Sequence, residues 1–184
     1  VGLNTWVMNK DFLESLIYDA IARNYKDFSH DVLASKVSSL RIYGYEYDGY
    51  FAHIDSLQSY YDKSLGLLNK DNLQKLFYSK TGPIYTKTKD SSPTNYCKDA
   101  NVKNSLIASG CTIEGTVENS IIFRGVSIGK NAVVKNSIIM QHGVIGENAR
   151  LDSIITDTYA QVTNDRVLLG YSNCPFFIKK FSVV

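Results

Sequence analysis

The stretch from Val102 to Val162 repeats itself, and that repeat leaves the chain few folds to choose from. Set in register it reads VKNSLIASGCTIEGT, VENSIIFRGVSIGKNA, VVKNSIIMQHGVIGENA and RLDSIITDTYAQVTND. Its aliphatic residues fall into three columns: Ile107, Ile122, Ile139 and Ile155; Ile113, Ile128, Ile145 and Val162; Val102, Val117, Val134 and Leu151. Each column recurs every 15 to 17 residues, and within a repeat the aliphatics lie mostly 6 apart. A helical stripe would recur every three or four residues and a hairpin would alternate by two. Hexads separated by small or turn-forming residues point instead to a parallel β-helix. Each hexad supplies a short strand with one aliphatic directed inward, and stacked coils about 4.8 Å apart turn each column into a ladder. Burying one such side chain contributes roughly 1.5–3 kcal/mol, and only a neighbouring coil can bury it. Gly110, Gly125, Gly143, Asn131 and Asn148 are the expected corner residues, since these types tolerate left-handed backbone. The coil is expected to be left-handed, against the usual crossover preference, because the hexapeptide pattern goes with that hand.

The remainder reads as a different architecture. Val1 to Met8 is expected to be a strand, followed by an amphipathic helix capped by Asp11 with Glu14 and running to about Arg23. The polar segment NYKDFSHD is expected to be loop. Ile42, Tyr43, Tyr45 and Tyr47 suggest a strand, Asp48-Gly49 a turn, and Tyr50 to Ile54 the returning strand. Asp55 or Ser56 then caps a second helix presenting Leu57, Tyr60, Tyr61, Leu65 and Leu68. Residues 1–68 thus read as strand, helix, hairpin and helix, too little for a complete open α/β sheet, and 69–100 as a linker containing a short helix at KDNLQKLFYSK. Residues 101–184 are expected to be the β-helix, with the apolar segment VLLGYSNCPFFIKKF as its cap and an interaction surface as the alternative use of that segment.

Composition removes several functions. Twenty basic and eighteen acidic residues leave a net charge of +2 without a basic block, which argues against nucleic acid as a partner. No apolar run approaches the ~18 residues a membrane span requires. Cys97, Cys111 and Cys174 are odd in number and lack a CxxC, favouring reduced thiols in a cytoplasmic protein, with Cys111 a small buried apolar residue. The first residue is Val rather than Met, so the sequence reads as the later part of a longer protein.

Several segments together resemble the bacterial glucose-1-phosphate adenylyltransferases. Gly49-Tyr50-Phe51-Ala52-His53-Ile54-Asp55-Ser56, with the helix after it, looks like their GYWxDVGT segment. Ser29-His30-Asp31 resembles their SHDFGxDII stretch, and VGLNTWVMNKDFL their (A/S)SMGIYIF strand. The run from Ser91 to Met140 is similar to their junction between SPPAKF and the β-helix. The resemblance covers nearly the whole chain and is greatest to the family's glycogen-biosynthesis companion subunit. It implies the C-terminal end of a nucleotidyltransferase domain followed by a left-handed β-helix. The catalytic members make ADP-glucose from ATP and glucose 1-phosphate with Mg²⁺. The resemblance further implies a catalytic homologous subunit as partner, in a hetero-oligomer of tetramer type, with the β-helix supplying assembly and allosteric contacts.

The departures carry the functional expectation. His53 stands where the family's GYWxDVGT holds its metal-binding Asp, and imidazole is a poor ligand for Mg²⁺. Asp55 lies two residues along, about 6.6 Å away on a strand, and does not inherit the role. Gly2 replaces the family's sugar-contacting Ser, and the Gly-rich nucleotide loop is absent from these residues. Gly2, His30, Asp31, His53 and Asp55 are thus remnants of a substrate pocket, no residue is catalytic, and no cofactor is expected in these 184 residues. Arg124, Arg150, Arg166, Lys179 and Lys180 are candidates for an anionic effector, weighed against an ordinary solvated role. His30 and Asp31 also read as a loop-and-cap pair, and the tyrosine stripe from Tyr43 to Tyr50 as packing against the helices. The alternative function is a hexapeptide acyltransferase with His142 as general base. A three-histidine metal site is not available to a repeat with one histidine.

Overall fold

The structure, a computed structural model, describes residues 3–78 and 84–184. It forms two compact units, Val1–Asp48 and Gly49–Val184. No helix among the described residues is long and apolar enough to cross a membrane.

In the first unit, α1 spans Lys10–Ala22. Its cap is Asn9, whose side chain accepts the Asp11 N–H at 3.0 Å. The expected cap at Asp11 is therefore displaced: Asp11 sits within the first turn, where its charge suits the helix N-terminus. Glu14 pairs with Lys10 at 3.6 Å instead of closing a capping box. The polar segment expected as loop is partly helical, entering a π-type turn at Phe28–Leu33 and a 3₁₀ turn at Ala34–Lys36. Leu16, Val32 and Leu33 bury one another there, and Asp19 receives both Arg23 Nε and Lys36 Nζ. Burying Val32 and Leu33 is what draws this stretch into helical turns. The strands expected at 1–8, 41–47 and 50–54 are not formed among the described residues. A lone two-stranded ribbon is marginal in water, and among the described residues no further strand lies beside this segment to support one. Tyr43 and Tyr45 accordingly stand 85% and 91% exposed rather than packed on helices.

The second unit is a left-handed parallel β-helix of three five-stranded sheets. The first sheet stacks β1 (Asn95–Tyr96), β4 (Thr112–Ile113), β7 (Ser127–Ile128), β10 (Val144–Ile145) and β13 (Gln161–Val162). The second stacks β2 (Asn101–Lys103), β5 (Thr116–Glu118), β8 (Val133–Lys135), β11 (Arg150–Asp152) and β14 (Val167–Leu169). The third stacks β3 (Leu106–Ile107), β6 (Ile121–Ile122), β9 (Ile138–Ile139), β12 (Ile154–Thr156) and β15 (Phe176–Ile178). The coil thus begins at Asn95, inside the stretch read as linker, and the C-terminal segment adds a fifth rung before it caps. Tyr96 is able to start the array because it pairs with Ile113, and Val184 finishes it by packing against the core.

Two of the three expected columns are in register as read. Ile113, Ile128, Ile145 and Val162 are 0–2% exposed, and Val117, Val134 and Leu151 are equally buried. The third is corrected in its last member. Ile139 pairs with Thr156, while Ile155 pairs with Ile138 and faces outward. The fourth repeat lacks one residue ahead of its isoleucines: Ile154 takes the rung of Ser137, accepting a position whose N–H donates to the Ser137 hydroxyl at 3.0 Å. Ser120 and Ser137 form a buried ladder, each hydroxyl donating to the carbonyl two residues back and accepting an N–H from the next coil. That satisfies polar groups that would otherwise be stranded in the core.

Corners show the second correction. The left-handed position in the third coil is His142 (φ 57°), not Gly143. His142 follows Gly110 and Gly125 in this corner column, and Tyr159 and Phe181 continue it with φ 60° and 59°. Their rings stack, at 5.0 Å between His142 and Tyr159 and 5.3 Å between Tyr159 and Phe181. Stacking of this kind offsets part of the cost of left-handed backbone in bulky residues.

The domain boundary also differs from the sequence reading at 68. α2 (Leu57–Leu65) and α3 (Lys70–Phe77) belong to the same unit as the coil. Ser56 caps α2 in a reciprocal box with Ser59, resolving the choice between Asp55 and Ser56. Tyr61 is 3% exposed and packs with Ile138 and Ile155, while Tyr60, Leu65 and Phe123 close around them. The outward isoleucines of the third sheet need this cover, and α2 supplies it.

Candidate functional site

Gly2 lies outside the described residues. The other four candidate residues form two pairs, one in each unit. In the first unit, the Asp31 carboxylate accepts the backbone N–H groups of Lys26 and Asp27, both at 3.0 Å, and lies 3.2 Å from His30 Nδ1. Those N–H donors, Asp27 foremost, hold its carboxyl down to about 2 from an ordinary 3.8. Asp27 in turn caps the His30 N–H at 2.7 Å. This is a self-contained turn in which the carboxylate is occupied by its own backbone.

In the second unit, His53 Nδ1 lies 3.5 Å from Asp55 Oδ2, with side chains 66% and 62% exposed. The backbone N–H groups of Asp55 and Ser56 both donate to Ser59 Oγ, and the Ser59 N–H donates to Ser56 Oγ. The Ser59 and Ser56 hydroxyls hold the Asp55 carboxyl below the usual carboxylate range. The His53–Asp55 pair is thus mounted on the N-terminus of α2. A shallow depression of about 380 Å³ adjoins it, walled by Phe51, Ala52, Ile54, Leu67 and Leu76.

This donor set does not fit Mg²⁺. The pair offers one imidazole nitrogen and a single carboxylate, 62% exposed, whereas Mg²⁺ requires near-octahedral oxygen. Among the described residues no group of three His, Cys, Asp or Glu side chains lies close enough to hold a metal ion.

The five basic candidates fall into two separate groups. Arg124 and Lys180 belong to the corner column next to His142 and Tyr159, as the His142 N–H to Arg124 O bond shows. Lys180 Nζ sits 5.0 Å above the Phe181 ring, and Lys179 precedes it. Arg150 opens β11 of the second sheet and Arg166 directly precedes β14, the Arg150 N–H donating to Arg166 O at 2.7 Å. Arg166 Nε is engaged by Thr163 Oγ1. His142 lies flat between Gly125 and Tyr159, where a Cβ on Gly125 would fall 2.6 Å from its Nδ1.

Sequence reasoning missed Tyr61 and Gln58. The Tyr61 hydroxyl donates to the Asn136 carbonyl at 2.5 Å, and Gln58 Nε2 donates to the Ser172 carbonyl at 2.7 Å. Burial raises the Tyr61 phenol above its ordinary range. The signal lay in the outward column Leu106, Ile121, Ile138 and Ile155, which is apolar where the second sheet's column Lys103, Glu118, Lys135 and Asp152 is charged.

Comparison with known proteins gives three findings. Residues 92–173 match the family described as GlmU-like, C-terminal hexapeptide. The chain is 42% identical over 179 residues to the glycogen biosynthesis protein GlgD of Bacillus subtilis, covering 97% of this chain and 52% of that protein. It is 35% identical over 138 residues to the glucose-1-phosphate adenylyltransferase of Mycoplasma mobile, covering 73% of this chain and 36% of that protein. The chain therefore spans about half the length of the Bacillus protein.

Proposed function

We propose that this chain, 42% identical over 97% of its length to the GlgD of Bacillus subtilis and 35% identical over 73% of it to a glucose-1-phosphate adenylyltransferase, serves a regulatory, non-catalytic subunit. The parent protein would act in the cytoplasm in glycogen biosynthesis. It would assemble with a catalytic homologue into a hetero-oligomer, a tetramer, through contacts of the β-helix, and tune ADP-glucose synthesis there.

One observation carries the reading. At the position resembling the family's metal-binding aspartate stands His53, with the exposed carboxylate of Asp55 3.5 Å from its Nδ1 and the Asp55 backbone N–H bonded to Ser59 Oγ in the helix cap. An enzyme that depends on Mg²⁺ to draw together two anionic phosphates loses its charge neutralisation when that ligand becomes a neutral imidazole. What remains intact is the coil, with its five rungs and buried ladders. Selection for a folded scaffold without the metal ligand is what a companion subunit requires.

The test is an assay of ADP-glucose formation by the full-length parent alone and then mixed with its catalytic homologue, with the mass of the complex measured alongside. Negligible activity alone, a mixed oligomer, and an altered rate for the homologue are expected. Strong activity of the parent alone would sink the proposal.

A further inference from the structure

We propose that Tyr61 is a positioning residue that fixes the segment carrying His53 and Asp55 to the third face of the β-helix. The inference deepens the subunit reading by naming the link between its coil and its pocket remnant.

The chain of contacts is continuous. Asn136 is a left-handed corner residue (φ 45°) whose side chain is itself held by Asp152 at 3.0 Å, so its carbonyl is a rigid acceptor. The Tyr61 hydroxyl donates to that carbonyl at 2.5 Å, and its ring lies among Ile138 and Ile155, each 0% exposed. Gln58, one turn earlier on α2, makes a second attachment at Ser172 O. A short helix moves as one body, and this one ends at Ser56 and Ser59, whose side chains bind the N–H groups of Asp55, Ser56 and Ser59. Three residues before that cap is His53. Displacement of the third face of the coil therefore displaces the cap, and with it the His53–Asp55 pair.

Tethering is also economical in sequence. A helix of nine residues is too short to be stable alone in water. It persists because its apolar face covers isoleucines that would otherwise be exposed. The hydroxyl of Tyr61 adds direction to that burial, selecting one rotation of the helix over others that would bury similar area.

The experiment uses the 184-residue chain, isotopically labelled, with backbone amide exchange and histidine ring resonances as readouts. Tyr61→Phe keeps the ring and removes the tether. The expected result is exchange roughly five- to tenfold faster at Asp55, Ser56 and Ser59, the effect of losing one hydrogen bond. His53 ring signals should shift, while the His30 ring and the Ile128 and Ile145 amides stay as in the parent. Gln58→Ala should give the same pattern more weakly. Unchanged exchange at 55–59 and unchanged His53 signals in Tyr61→Phe would overturn the proposal. So would equal acceleration throughout the coil, which would mean general destabilisation. Unchanged exchange would leave the subunit reading standing, and an active parent would remove that reading without touching this result.

Discussion

Replacing Ile145 by Ala tests the inward ladder where it is least able to adjust. Ile145 is 1% exposed, with Ile128 in the coil before it and Val162 in the coil after it. Its backbone is fixed on both sides, the Gly129 N–H donating to Ile145 O at 2.8 Å and the Gly146 N–H to Val162 O at 2.8 Å. The truncation removes three carbons, about 2.4 kcal/mol of transfer free energy at roughly 0.8 kcal/mol each. The ladder bonds stop neighbouring coils from closing on the void, so the cavity term brings the cost to about 4 kcal/mol, in the upper part of the range for such changes. Urea unfolding followed by far-ultraviolet circular dichroism is the assay. With a slope of roughly 2 kcal/mol/M the midpoint should fall by about 2 M. Ile145→Val should cost only about 0.5–1.5 kcal/mol. A midpoint for Ile145→Ala unchanged from the parent's would refute the inward assignment of the column.

Three further outcomes follow from single positions. Gly146→Ala would place a Cβ 2.5 Å from Asn164 Oδ1 and 2.6 Å from its backbone nitrogen; the coils must part, and unfolding should show a loss of about 1–3 kcal/mol. Asn148, at φ 57° and bonded to both Asn131 and Asp165, should cost about 1–2 kcal/mol as Ala through left-handed strain alone, measurable by the same unfolding. The Asp31 carboxyl titrates near 2 when folded and 3.8 otherwise, so its support of the first unit is complete above 3.8 and is lost as pH falls toward 2. Carboxyl resonances should give that midpoint, and Asp31→Asn should flatten the first unit's acid sensitivity over the same window.

The coil was legible because its information is local and repeated: each aliphatic column states its own spacing several times. The misplacement of Ile155 was still avoidable by arithmetic. Ile122 and Ile139, Val134 and Leu151, and Ile145 and Val162 are all 17 apart, while Ile139 and Ile155 are 16 apart. Seventeen leads to Thr156, a residue the eye discards because it is polar, although it is 0% exposed and accepts the Met140 N–H through its hydroxyl. His142 was harder to see as the corner, since Gly143 beside it is the better left-handed former by type. Its place is set by the neighbouring coils, in which Gly125 and Tyr159 align with it. The hairpin expected over 41–54 had the right alternation but no partner strands. Strand formation depends on neighbours that a local pattern does not contain.

The candidate site shows why the inward columns say little about function. Any sequence that fills the coil interior with isoleucine and valine folds into a similar solenoid, and the outward columns are where one such solenoid can differ from another. Here the three outer faces have distinct chemistry. The first carries Thr112, Ser127, Val144 and Gln161, and the second an alternation of Lys103, Glu118, Lys135 and Asp152 in which Glu118 pairs with both lysines. The third carries Leu106, Ile121, Ile138, Ile155 and Phe177. Only an apolar outer face demands a cover, and the helix that answers the demand is the one that carries His53 and Asp55 at its head. The position of the His53–Asp55 pair is therefore set by two outward residues in neighbouring coils, Ile138 and Ile155. Exchanging both for Ser should release α2 and abolish the His53–Asp55 geometry while leaving the inward ladder intact. Loss of Tyr61 burial, read by its amide protection and its ring resonances, with coil exchange preserved would show that assembly of the coil and placement of the site are separable.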